Sequence, residues 1–301
     1  MPPPRGTPNI LEGPGDYDMT SEVHNDTYPA IDSAKADLSG KAVFISGASR
    51  GLGCAMSVSF AKAGASMIAI GARGDLSTTI KLMQDAVEKL GKPPPKILPI
   101  KFDMSVKQSV DEAARKIRDE FGRIDIVIAN AAVITMGKIA ESDADDWGRV
   151  FGTNTIGIYL LYRALIPLLL EGGDKTFITV ASVGAHLVSP GYSAYQTSKL
   201  VTLRLDEFVC AEYGEQGILA YCIHPGNIPT DMSGPDGIPD FLKHIFVETP
   251  ELSADSLVYL TSEKRDWLAG RYVNVTWHLP ELMEKKDEIM SGDKLKVRLV
   301  I

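Results

Sequence analysis

Short apolar runs alternate with amphipathic stretches along most of this chain, from residue 42 to residue 275. The runs fall at 42–46, 66–70, 96–101, 125–129, 176–181, 218–223 and near 272–275. Between them lie segments of helical period at 52–63, 76–90, 106–121 and 149–170, and another begins at about Ser193. A strand apolar at every position is buried on both faces, and a parallel sheet with helices on each side provides that burial. The pattern therefore predicts an α/β chain built on a single doubly wound parallel sheet. At 301 residues the chain is long enough for one large domain or two small ones. Neither an interdomain linker nor an internal repeat interrupts the alternation, so one domain is expected over 37–277. Residues 1–36, rich in Pro, Gly, Asp and Ser, are expected to be a flexible or surface-wrapping extension. Residues 278–301 form a tail on the domain, with a charged helix at 281–289 and an apolar end at 295–301.

Composition excludes several function classes. Hydrophobic residues make up 45% and charged residues 23%, with a net charge of -8 and no basic patch, so nucleic acid is not an expected partner. The most apolar stretch, 156–170, is interrupted by Arg163 and Pro167, and the first 20 residues hold no apolar leader. No membrane association is expected. Three scattered cysteines, Cys54, Cys210 and Cys222, fit a reducing, cytoplasmic setting. No His/Cys/Asp group has zinc-ligand spacing, so no metal is expected.

The first predicted strand runs into Ser46-Gly47-Ala48-Ser49-Arg50-Gly51-Leu52-Gly53, and a predicted helix follows. Glycines there permit a tight turn and a close backbone approach to a pyrophosphate, while the helix N-terminus offers unpaired N–H groups to the anion. A glycine turn without ligand is the plain alternative; the strand–turn–helix context favours a dinucleotide. Further on, Tyr195 and Lys199 lie at i and i+4, which puts both on one face of a helix, thirteen residues beyond Ser182. An ammonium beside a phenol favours the phenolate. A tyrosine brought down from its usual value of about 10 can pass a proton to or from an alcohol or carbonyl oxygen. Ser182 is suited to holding that oxygen. Each residue also has an ordinary reading: Ser182 as a turn or N-cap, Lys199 as a solvated lysine, Asn154 as a locally bonded amide.

Taken in register, these features resemble the short-chain dehydrogenase/reductase family in its single-domain Rossmann form, over residues 41–275. The glycine spacing is Gly-x-x-x-Gly-x-Gly. Asn130-Ala131-Ala132 is similar to the family's Asn-Ala-Gly, with Ala132 in place of glycine. Asn154, Ser182, Tyr195 and Lys199 match its catalytic positions, and Pro225-Gly226-Asn227-Ile228-Pro229-Thr230 matches its Pro-Gly…Thr segment. The resemblance implies that Gly47, Ser49, Arg50, Gly51, Leu52, Gly53 and Asn130 line the cofactor and that Asp103 contacts adenine. It implies that Pro225, Gly226, Ile228 and Thr230 close over the nicotinamide. Lys199 would hold the ribose hydroxyls, and Asn154 a water leading from Lys199 to solvent. Helices at 149–170 and 194–213 would pair copies into a homodimer or homotetramer. With its extension and tail, the chain also loosely resembles fungal members that modify secondary metabolites.

A carboxylate at the end of the second strand would bind a ribose 2′-OH and repel a 2′-phosphate. Gly71 stands where the family's NAD-binding members usually place aspartate, and Arg73 follows. Arg73 and Arg50 suit a phosphate dianion, so NADP(H) is the expected cofactor. Asp75 would oppose this if it pointed inward, and a solvated loop arginine is the plain reading of Arg73. Residues 226–250 are expected to form a lid carrying Met232, Ile238, Phe241, Leu242, Ile245, Phe246 and Val247. Turns at Gly234-Pro235 and Gly237-Ile238-Pro239 would flank a short helix at 240–246. The lid suggests a medium-sized hydrophobic ketone or alcohol, unless these side chains pack on the core or on another subunit. His186 is placed to line the cleft and His224 to end a strand with local bonds. Asp143, Asp145 and Asp146 read as helix capping, or more weakly as a site for a basic substrate. The leading expectation is an NADPH-dependent carbonyl reductase or the reverse alcohol dehydrogenase. An isomerase, dehydratase or cyclisation catalyst with a structural cofactor is the alternative. A non-catalytic nucleotide-binding protein is a third, disfavoured because all four catalytic positions are filled.

Overall fold

The computed structural model describes residues 9–13, 15–230, 238 and 240–299. Strand β1 (Ala42–Ser46) sends Val43 and Ile45 into one core and Ala42 and Phe44 into another. Strand β4 (Ile126–Ala129) divides in the same way, Ile126 and Ile128 against Val127 and Ala129. Burial on both faces is why these strands are apolar throughout. With β2 (Met67–Ala72), β3 (Lys96–Lys101), β5 (Thr176–Val180), β6 (Leu219–His224) and β7 (Tyr272–Asn274) they form a seven-stranded sheet. Its order is β3-β2-β1-β4-β5-β6-β7, and all neighbours are parallel. The path reverses between β1 and β4. In doubly wound sheets the crevice beyond the carboxyl ends at such a reversal is the ligand site.

Helices α1 (Gly51–Lys62) and α2 (Ser77–Lys89) pack on the Val43 face, and α3 (Lys107–Phe121) on the Phe44 face. The helix expected from Arg149 begins earlier, as α4 (Ala144–Phe151), because the Asp143 carboxylate accepts the Asp146 N–H at 2.9 Å. It continues through a π-helical segment, Gly152–Ile156, into α5 (Gly157–Leu170). The whole helix is long and apolar enough to cross a membrane by length and composition, yet more than half of its apolar window is buried inside the domain. After α6 (Ser193–Tyr213) comes a helix that the sequence reading missed, α7 (Pro250–Thr261). Thr249 Oγ1 accepts the Leu252 N–H at 3.3 Å and Pro250 fills the first turn. The helix buries Leu252, Leu257 and Val258 in the same core as α1.

Where a lid helix was expected at 240–246, the structure has one 3-10 turn, Asp240–Leu242. Leu242 and Ile245 are buried, which favours their packing role. Met232, the turn at Gly234-Pro235, and Gly237 and Pro239 of the second turn lie outside the described residues. The tail helix is split into α8 (Leu279–Glu284) and α9 (Lys286–Ser291), and Tyr272 N–H donates to the Leu295 carbonyl at 2.8 Å beside the edge strand. The flexible reading of the N-terminal extension is corrected for its described residues, which are docked. Trp277 Nε1 donates to the Gly15 carbonyl at 3.1 Å, Ser21 N–H to the Glu281 carboxylate at 2.8 Å, and Thr27 Oγ1 to Asp255 at 2.7 Å. Burial of Ile31 and Leu38 anchors the strap further.

Candidate active site

Every residue singled out for chemistry stands at or just beyond a carboxyl end of the sheet. Ser182 follows β5 and caps a short turn, its Oγ accepting the Gly184 N–H at 3.0 Å. Helix α6 carries Tyr195 and Lys199 one turn apart toward it. Burial pushes the Tyr195 phenol above its ordinary value, and a hydrogen bond with Ser182 pulls it back. Lys199 is 4% exposed, its Nζ donates to the Val180 carbonyl at 2.7 Å, and it stands 5.6 Å from the Tyr195 ring centroid. Burial draws its ammonium down to about 8, against the pull of Cys222. The expected depression of Tyr195 by Lys199 is therefore not realised in this arrangement. One of the ammonium's three N–H groups is given to a carbonyl, and desolvation of the phenol outweighs its bond with Ser182.

Asn154 lies in the π-helical segment, a distortion that recurs at functional sites. Its amide donates to the Val133 carbonyl at 2.9 Å and to Ser198 Oγ at 3.0 Å, and its Oδ1 accepts the Val133 N–H at 2.9 Å. The side chain is thus occupied in tying the loop after β4 to α6. These bonds give Asn154 a positioning role; with both of its N–H groups used, the water expected of it would be held through oxygen.

The glycine turn forms a cradle. Gly47 has φ +70°, and a Cβ there would lie 2.8 Å from Ala131 Cα; one at Gly53 would lie 2.2 Å from the Gly47 carbonyl oxygen. A Cβ at Gly51 would meet only Thr230 Cγ2, at 3.9 Å. The turn and the segment after β6 therefore face each other closely, with Thr230 beside the amino end of α1. Leu52 packs against the core, and Arg50 is exposed at the helix cap. Asn130 is spent on the turn itself, its Nδ2 donating to the Ser46 carbonyl at 3.0 Å, while Ser46 Oγ accepts the Asn130 and Ala131 N–H groups. It shapes the cradle from behind. Pro225 and Gly226 leave β6, Ile228 is buried, and the Asn227 N–H donates to Glu248 at 2.8 Å.

Near β2, the Gly71 carbonyl accepts the Gly47 and Ala48 N–H groups, and a Cβ at 71 would lie 2.4 Å from the Phe102 ring. Arg73 is 70% exposed, with Asp103 at 3.9 Å. Asp103 sits below the usual carboxylate range; burial acts upward, but Ser105 donates from N–H and hydroxyl, and Arg73 adds its charge. Asp75 is turned to the start of α2, where it accepts from Ser77. Gly74 brings this loop against Ser49.

A small polar cavity beyond β6 is lined by His224 and Asn227 together with Asp16, Tyr17, Glu248 and Asn274, four residues that sequence reasoning missed. Asp16 is held by the Gly13 N–H and by Asn274 Nδ2 at 3.0 Å, and a side chain at Gly13 would strike Val183, the neighbour of Ser182. Burial pushes Asp16 up to about 6 and Glu248 up to about 7. His224 Nδ1 accepts the Val183 N–H at 3.1 Å, the local bond expected of it, and His186 meets the Tyr272 ring edge-on at 4.6 Å. No periodicity in residues 9–28 could have announced this wall; the one hint was Asp16-Tyr17 among turn formers.

A nucleotide cradle at the sheet's reversal, with Ser, Tyr and Lys converging beside it, defines a nicotinamide oxidoreductase of the Rossmann type. Comparison with known proteins agrees. The short chain dehydrogenase family model matches residues 41–237. The chain is 58% identical over 302 residues to the short chain dehydrogenase pigC of Monascus ruber, covering 100% of each. It is 47% identical to citE of the same organism, covering 95% of this chain and 97% of that one. A short-chain type dehydrogenase/reductase from Mycobacterium marinum, 26% identical, superposes with a TM-score of 0.70 over 82% of this chain and 97% of that one. The chain belongs to the short-chain dehydrogenase family.

Proposed function

We propose that this protein is an NADP(H)-dependent oxidoreductase that interconverts a ketone and a secondary alcohol. The observation that carries this reading is the convergence of Ser182, Tyr195 and Lys199 at the carboxyl edge of the sheet that also carries the glycine turn. When bound, the cofactor supplies the hydride exchanged with the substrate carbon. The chain's own residues do the rest. The turn from Gly47 to Gly53 and the amino end of α1 receive the pyrophosphate. Ser182 holds the substrate oxygen, and Tyr195 gives or takes the proton there. Lys199, turned from the Val180 carbonyl toward the ribose hydroxyls and the phenol, lowers the Tyr195 pKa by its charge.

Preference for the 2′-phosphate is supported by three observations. Neither Gly71 nor Ala72, the last residues of β2, carries a carboxylate, and Phe102 leaves no room for one at 71. Asp75 is engaged with Ser77. Arg73 is exposed at the rim with a long ion pair that a phosphate can replace. The substrate in this reading is a medium-sized hydrophobic metabolite of secondary metabolism, with a polar end toward Asp16 and Glu248. Exposed Ile156, Tyr159, Leu200 and Phe208 along α5 and α6 support a homodimer or homotetramer, with the enzyme cytoplasmic. The test follows nicotinamide absorbance with NADPH or NADH and a panel of aryl and alkyl ketones. Consumption of NADPH in preference to NADH is expected. Conversion of a ketone with no nicotinamide oxidised would favour the isomerase, dehydratase or cyclisation alternative.

A further inference from the structure

The N-terminal strap and the C-terminal tail meet at one isolated antiparallel bridge. Val23 pairs with Trp277, the His24 N–H donates to the Thr276 carbonyl at 2.7 Å, and the His278 N–H donates to the Glu22 carbonyl at 3.3 Å. Trp277 and Val23 pack on the core, while Glu22 and His24 on the extension and His278 on the tail come together beside the bridge. Glu22 is exposed and the two histidines are half-buried. Ligand atoms from all three lie within 4.8 Å of one another. His24 Nε2 and His278 Nδ1 approach to 2.9 Å, and the His24 ring is stacked on Tyr28 with centroids 3.7 Å apart. The Tyr28 hydroxyl in turn accepts the Leu279 N–H at 2.9 Å, so the stack is fixed to the tail.

We propose that Glu22, His24 and His278 form a zinc-type divalent metal site that clamps the N-terminal strap to the C-terminal tail. Two imidazole nitrogens and one carboxylate oxygen are a donor set that Zn²⁺ accepts, with water in the remaining tetrahedral position. Two nitrogens each about 2.0–2.1 Å from a tetrahedral metal stand about 3.3 Å apart, so the pair need open by only about 0.4 Å. The proton now shared between the facing nitrogens moves to the far nitrogen of the same ring, a tautomer change with no net proton lost when both rings are neutral. The ligands come from sequence positions more than 250 residues apart, so the clamp closes nearly the whole chain into one loop. It holds the strap that brings Asp16 to the cavity beside Val183.

The experiment uses the full-length, untagged protein, titrated with Zn²⁺ by calorimetry and with Co²⁺ by visible absorption, and does not depend on the proposed redox activity. One equivalent bound, with a tetrahedral Co²⁺ spectrum, is expected. His24→Gln and His278→Gln should each weaken binding by at least about 10–100-fold, the loss seen even for outer-shell partners. Glu22→Gln, at an exposed position where misfolding is not expected, should weaken binding and alter the Co²⁺ spectrum. Amide exchange at His24 and His278 should slow on metal addition in wild type alone. Wild type that takes up no metal, or a His24→Gln/His278→Gln protein that binds it as tightly, overturns the proposal.

Discussion

The two halves of the sheet's carboxyl edge are built by different means. The cofactor half, around β1, β2 and β4, is made of local pieces: a strand, a glycine turn and a helix contiguous over residues 42–62, locked from behind by Ser46 and Asn130. The substrate half, around β5, β6 and β7, is assembled from distant chain segments. Asp16 meets Asn274, Gly15 meets Trp277, and Asn227 meets Glu248. The first half has to fit one cofactor, so its geometry is written into short motifs. The second draws on the extension and the tail, the parts of the chain outside the family model's residues 41–237. Chemistry sits on the seam, where Tyr195 and Lys199 on α6 reach toward Ser182.

If the halves are separable, they should fail separately. Trp277→Ala removes a side chain that is 1% exposed and should cost about 3–5 kcal/mol in urea unfolding. NADPH affinity of the remaining folded protein should stay within a few-fold of wild type; joint loss of both would break the comparison. Gly53→Ala is the reverse experiment. Its methyl would sit 2.2 Å from a backbone oxygen, and overpacking of this kind costs about 1–3 kcal/mol. Here the NADPH-dependent rise in Tm should vanish while the strap's amides stay protected from exchange.

Within the cofactor half, Arg73→Ala should cut the preference for NADPH over NADH by about 10–100-fold, the worth of charge-assisted hydrogen bonds of roughly 1.5–3 kcal/mol. An unchanged ratio would assign the arginine to solvent. The smallest effect belongs to pH at the substrate half. Asp16 and Glu248, raised to about 6 and about 7, favour the protonated form in the folded state. Their contribution is therefore full below about pH 4 and is lost as pH rises through 6 and 7. Stability should fall by about 1–2 kcal/mol between pH 5 and 8 after allowance for solvent screening, and Asp16→Asn with Glu248→Gln should flatten that slope.

This contrast also explains what could be read from the sequence. The doubly buried strands show themselves because Val43, Phe44 and Ile45 are all apolar, and the glycine turn because its residues are contiguous. Helix α7 was hidden by proximity to a Pro/Gly-rich stretch, although Thr249-Pro250 is a helix start. Asn130 and Asn154 were legible as positions, while their bonds to the Ser46 and Val133 carbonyls and to Ser198 show only in the folded geometry. The orientation of Lys199 toward Val180 depends on where a strand's last carbonyl points, which no spacing rule conveys. The wall made by Asp16 and Tyr17, and the meeting of His24 with His278, needed the fold itself.

Replacing Tyr195 with phenylalanine and following single-turnover nicotinamide oxidation, with NADPH affinity measured on the same preparation, tests the central claim most directly. The account predicts a fall in turnover of about 10²–10⁴-fold, the usual contribution of a positioned acid–base group, with affinity within a few-fold of wild type. Turnover equal to that of wild type would contradict it.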